Sequence, residues 1–97
     1  MNPENRKKAL DWICEERERQ VTEEGYSSEH DAAHDHGELA LAASAYACAE
    51  YADYHSMPID IIWPWGDQSF KPMSHLENLI KAGALILAEI ERITPSH

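Results

Sequence analysis

Between Gln20 and Phe70 the chain has no lysine and no arginine, although ten acidic residues fall in that span. A protein that grips nucleic acid must neutralise phosphates with cations, so this gap argues against nucleic acid as a direct ligand. The net charge of −10 arises almost wholly after Val21, because the charges before that point nearly balance. Such a surface suits cation binding, solubility, or an acidic face offered to a basic partner. No apolar run approaches the ~20 residues that span a bilayer, which argues against a membrane segment. The opening MNPENRKKALDW has basic residues but lacks the apolar stretch of a secretory signal. Cysteine is scarce as well. Cys14 and Cys48 stand among apolar neighbours in helical patterns, so two buried free thiols in a reducing cytoplasm are expected. There is no internal repeat, no glycine-rich phosphate loop, and no nucleophile beside a pairing base.

What is present is helical. At 97 residues the chain is expected to form a single domain over 1–97 with one thin core. Asn2 and Pro3 suit a helix start, and Leu10, Ile13, Cys14, Arg17, Val21 and Glu24 form one stripe, predicting a helix over 3–24. Trp12 lies off that stripe and suggests a second contact face. Gly25 suits the C′ position. Ser28 with Asp31 resembles a capping box for a short helical turn, and Asp35 with Glu38 resembles a second. The second long helix is expected over 36–55, rich in alanine, with the stripe Leu39, Ala43, Tyr46, Glu50 and Asp53. Pro58 stops it. A tryptophan-rich segment, IDIIWPWGDQSF, follows as an ordered loop. Ser74 with Glu77 caps a last helix over 75–93, whose expected core stripe is Leu76, Leu79, Ile80, Gly83, Ile86, Leu87, Ile90 and Ile93. The fold class is therefore all-α: a small antiparallel helical bundle of three long helices, one short helical turn and a Trp-rich ordered loop.

Several groups of residues carry possible chemistry. His30 and His34 are four apart, so on a helical turn they share a face, as two imidazoles on one metal must; Glu38 lies one turn further. Glu15 with Glu18, and Glu50 with Asp53, are acid pairs at helical spacing that suit Mg²⁺. A divalent metal, Mg or Zn, is thus the one cofactor the sequence suggests. Arg17 and Gln20 are polar on an apolar face and need partners. A polar centre is expected from Glu16, Arg17, Gln20, His34, Glu38 and Lys81, with Trp63, Trp65 and Lys71 supplying stacking and charge for a ligand.

Two resemblances follow from these residues. The acid pairs on an all-α chain of this size resemble the nucleotide pyrophosphohydrolases of the MazG and dUTPase type. That likeness implies metal-dependent nucleotide hydrolysis. The second covers nearly the whole chain and is carried by Glu16-Arg17, Gln20, Gly25-Tyr26, His30-Asp31, His34, Gly37-Glu38-Leu39-Ala40, Tyr46-Ala47, Trp63-Pro64-Trp65, Lys71-Pro72 and the run from Lys81 to Arg92. It resembles a family of small phage and prophage proteins and implies a bacterial cytoplasmic setting without implying an activity. The leading expectation is a non-catalytic accessory protein, of anti-defence type, that binds a nucleotide-like signal or a host protein. The metal-dependent hydrolase is the alternative.

Self-association is expected too. A chain of this length buries only about two-thirds of its unfolded surface. Trp12, Ile59, Ile61, Ile62, Trp63, Trp65 and Leu85 together exceed what one thin core covers, and Ala82, Gly83 and Ala84 offer a close-packing patch.

Overall fold

The computed structural model describes residues 2–33, 35–51, 62–66 and 69–95. Four helices account for most of them: α1 (Pro3–Glu23), α2 (Ser28–Ala32), α3 (Glu38–Cys48) and α4 (His75–Ile93). No strand occurs among the described residues, and no described helix is long and apolar enough to cross a membrane.

The ends of the helices follow local chemistry. The Asn2 side chain accepts from the Glu4 amide at 2.8 Å, and Pro3 occupies the first turn, where its missing N–H costs nothing. Gly25, at φ +76°, ends α1, and the Tyr26 amide returns to the Gln20 carbonyl at 2.9 Å. Ser74 caps α4 by accepting from the Glu77 amide. Two caps differ from expectation. The residue that caps α2 is Ser27, whose hydroxyl accepts from the His30 amide. At α3 the cap is Gly37, at φ +85°, and not Asp35. The Glu38 carboxylate reaches back to the His36 amide at 2.7 Å, while Asp35 pairs with His36. Gly37 takes a left-handed turn that a residue with a side chain rarely adopts, and this moves the helix start past Asp35.

The alanine-rich α3 is the centre of the molecule. Leu39, Ala42, Ala43, Ala45 and Tyr46 are all buried. The helix gives way to turns after Cys48, earlier than expected. Residues 52–55 of the expected helix lie outside the described residues. At the end of α3, Glu50 and Tyr51 meet His75 at the start of α4, and Tyr46 lies by Lys81. The two helices therefore run antiparallel.

What α4 buries is the main departure from the sequence reading. Its buried side is Asn78, Ala82, Ala84, Leu85 and Ala88, whereas Leu76, Leu79, Ile86, Ile90 and Ile93 are exposed. Leu85, expected off the core stripe, is 1% exposed. The alanines of α4 sit against the alanines of α3, because two small-residue faces allow the closest backbone approach and the densest contact. The large aliphatic stripe is left on the outside. α1 behaves in the same way. Its buried residues are Arg17 and Gln20, while Leu10, Val21 and Cys14 are exposed. The expectation of a buried Cys14 therefore fails: the side of α1 that packs inward carries Ile13, Arg17 and Gln20, and Cys14 lies beside it on the exposed side with Leu10 and Val21.

α1 lies across α4, with Ile13 directly over Gly83. A Cβ added at Gly83 would stand 2.9 Å from Ile13 Cδ1. Arg17 completes the crossing. Its guanidinium donates to Asp31 Oδ2 at 2.7 Å, to the Tyr26 carbonyl at 2.7 Å and to Glu91 Oε1 at 2.9 Å, joining α1, α2 and α4.

Candidate functional site

The site grows from three residues on one side of α1. Glu16, Arg19 and Gln20 fall within a single turn, so their side chains leave the helix close together. Arg19 grips Glu16 with two bonds, Nε to Oε1 at 2.7 Å and Nη2 to Oε2 at 2.8 Å. Its Nη1 also reaches Glu23 at 3.1 Å and Glu24 at 3.3 Å. These carboxylates hold the guanidinium firmly in its charged form, with its pKa raised above the ordinary arginine value. Gln20 is 3% exposed. Its Nε2 donates to Glu16 Oε2 at 3.3 Å, but its buried Oε1 accepts no bond among the described residues. A buried amide oxygen in this state costs free energy unless a donor reaches it.

The facing wall comes from α4 and the segment before it. Asn78 is 2% exposed and clasps Met73 from both sides, accepting from its amide at 2.7 Å and donating to its carbonyl at 3.1 Å. This clasp presents residues 71–73 to the site. The Lys71 amide donates to the Tyr46 hydroxyl at 3.1 Å, and the Lys81 ammonium donates to the Lys71 carbonyl at 2.8 Å. Lys81 Nζ also stands 5.2 Å from the Tyr46 ring centroid, within range of a cation–π attraction. Burial lowers the Lys81 pKa below the ordinary lysine value, and burial raises that of Tyr46.

Between these walls lies a cleft of about 630 Å³. Trp12, Met73, Leu76 and Ile80 give it an apolar floor, while Glu15, Glu16, Arg19, Glu24, Lys71, Glu77 and Lys81 supply polar groups. A narrow neck of about 20 Å³ leads inward past Glu16, Gln20 and Tyr46 towards Leu85. Size and lining match those of small-molecule sites, which combine an apolar surface with a few placed polar groups.

The expected site residues divide accordingly. Glu16, Gln20, Lys71 and Lys81 come together at the cleft and its neck. Arg17 lies outside it, spent on the clasp between α1, α2 and α4. Glu38 sits at the start of α3 against the His36 amide. Trp63 is 5% exposed and belongs to the core, its indole N–H donating to the Gly66 carbonyl and the Ser69 hydroxyl. Tyr46 and Phe70 pack on it with ring centroids 5.4 and 4.9 Å away. Trp65 tilts against Tyr26, which in turn stacks on His30 at 4.9 Å. Trp65 therefore borders a separate, open hollow of about 330 Å³ with Glu24, Tyr26 and His30. His34, one of the three expected metal ligands, lies outside the described residues, as does Asp53 of the second acid pair. Among the described residues no three His, Cys, Asp or Glu side chains gather as metal ligands would. Glu50 faces His75 at 3.5 Å, and Glu15 borders the cleft.

The residues missed by sequence reading are Arg19, Trp12, Glu24 and Tyr46. Arg19 was legible as the ion-pair partner of Glu16 at i, i+3. Trp12 was legible only as an aromatic off the main stripe. The role of Tyr46 depends on a contact 25 residues away. In comparisons with protein-family models, curated proteins and solved structures nothing matches this chain, so the geometry and chemistry of the cleft carry the functional argument.

Proposed function

We propose that this chain is a non-catalytic binding protein, of the small phage-accessory kind its sequence resembles, and that the α1–α4 cleft takes a nucleotide-like ligand. One observation carries the reading. Only three cations follow Arg19 in the sequence, and two of them, Lys71 and Lys81, meet at this cleft. Arg19 meanwhile engages Glu16 and Glu24, which offsets two of the four acids that line the cleft, Glu15 and Glu77 being the others. The lysines then offer charge to a phosphate, and Trp12, 41% exposed on the apolar floor, offers a ring face to a base. At the inner end the Gln20 carbonyl oxygen calls for a hydrogen-bond donor of the kind an exocyclic amine provides. Binding is favoured over hydrolysis because the best-placed carboxylate, Glu16, is already held by both Arg19 and Gln20. To hold a metal, Glu16 would have to give up these bonds.

The test is a thermal-shift and calorimetric screen of the full chain against nucleoside mono-, di- and triphosphates and cyclic nucleotides. A binding nucleotide raises the midpoint, since only the folded chain holds it. Lys81→Met is expected to weaken that nucleotide at least about tenfold, the cost of one charge-assisted contact of about 1.5 kcal/mol or more, whereas Lys7→Met leaves it unchanged. Binding should also fade at a pH below the ordinary lysine value of 10.5, because Lys81 loses its proton early. No shift with any of these nucleotides, or a shift that Lys81→Met leaves intact, overturns the reading.

A further inference from the structure

We propose that a second copy of this chain docks on the face opposite the cleft, about a two-fold axis, through the exposed aliphatic stripes of α1 and α4. On α4 the stripe is Leu79, Ile86, Ile90 and Ile93, at 42, 49, 51 and 61% exposure. Their spacing of seven, four and three places them on one face. On α1, Leu10 and Val21 are 57 and 38% exposed, and the exposed Cys14 stands between them on the same face. The contact of Ile13 with Gly83 sets the two stripes side by side. The cleft uses the other flank of the same crossing, through Trp12 and Glu16 on α1 and Leu76 and Ile80 on α4. The stripes therefore form one surface, and six half-exposed aliphatic side chains on one face are more than a soluble monomer usually leaves to water.

Charge selects the occupant. The net charge of −10 sets two copies against each other unless opposite charges meet across the contact. α1 has such an arrangement. The Leu10–Cys14–Val21 stripe is flanked by Lys7 towards its start and by Glu18 towards its end, both exposed. An antiparallel copy whose axis passes near Cys14 brings each Lys7 to Glu18 of the partner subunit, twice by symmetry. A foreign helix would need that same charge order, whereas a second copy has it automatically. The interface is distinct from the cleft, so both cleft sites stay open in the dimer.

Sedimentation and light scattering of the full chain at micromolar concentration decide the matter. A dimer of twice 11.0 kDa is expected, strengthening with moderate salt as the net repulsion is screened. Ile86→Glu and Ile90→Glu should each give a monomer with unchanged helix content, and Leu41→Glu, at an exposed leucine of α3, should remain dimeric. Should either glutamate variant fail to fold, the surface changes decide: Lys7→Glu weakens the dimer and Lys7→Glu with Glu18→Lys restores it. With Cys48→Ser, mild oxidation should join two chains through Cys14. A mass of one chain under all these conditions overturns the proposal, as does a dimer indifferent to Ile86→Glu and Ile90→Glu. Neither result touches nucleotide binding at the cleft, which is read separately.

Discussion

Arg17 and Asp31 meet at 2.7 Å with side chains only 9% and 3% exposed. A charged pair this deep stabilises little in total, because both ions lose their water. Its contribution is to geometry: it fixes where α2 rests on α1. Removing one partner alone is therefore costly. Arg17→Met leaves the Asp31 carboxylate buried beside His30 without its cation. The expected loss is about 3–5 kcal/mol of unfolding free energy, read by urea denaturation. Arg17→Met with Asp31→Leu should recover a large part of it. Glu91→Gln should cost no more than about 1 kcal/mol, since that carboxylate is 52% exposed.

The crossing of α1 and α4 depends on the missing side chain at Gly83. Its would-be Cβ lies 2.9 Å from Ile13 Cδ1 and 3.0 Å from Cγ1. Gly83→Ala gains about 1 kcal/mol of helix propensity but costs about 1–3 kcal/mol in overpacking. A modest net loss is expected by thermal denaturation. Ile13→Val removes the nearest atom, so Gly83→Ala should be better tolerated in that background than in the native one. Equal effects in both backgrounds would mean that Ile13 does not set the crossing.

Tyr26 ties alkaline stability to the aromatic cluster. Burial pushes its phenol from 10.0 up to about 12. The folded state thus keeps a proton that the unfolded chain releases, and stability falls as pH rises through this window. The contribution is complete below pH about 10 and gone above pH about 12. Tyr26→Phe should flatten that part of the profile and leave the neutral-pH slope unchanged. Unfolding midpoints across alkaline pH, with phenolate absorbance, test this. An unaltered profile would place the alkaline loss in other groups.

The helices and the cleft were legible in the sequence to different degrees. Local signals placed Pro3 and Ser74 well, because a cap is a matter of two or three neighbouring residues. The start of α3 was not legible, because the Asp35–Glu38 capping pattern competed there with the left-handed turn at Gly37. Glu16, Gln20, Lys71 and Lys81 were all singled out from sequence, and all four line the neck of the cleft. Arg17 was singled out with them but turned inward to Asp31. One helical position separates it from Glu16, and that rotation of 100° decides between clasp and cleft.

The sequence alone determined the all-helical class and the ends of α1 and α4. Each of these depends on residues within about one turn of one another, where spacing is as good as distance. The tertiary structure decided which face of α4 is buried. By hydrophobicity the aliphatic stripe of Leu79, Ile86, Ile90 and Ile93 should have gone inside. α3 offers alanines, and alanine against alanine lets two backbones close together, so Ala82, Ala84 and Ala88 were buried and the larger residues were left outside. Periodicity locates the faces of a helix. Which face is covered depends on the shape of the helix it meets, and that is a property of the assembled pair.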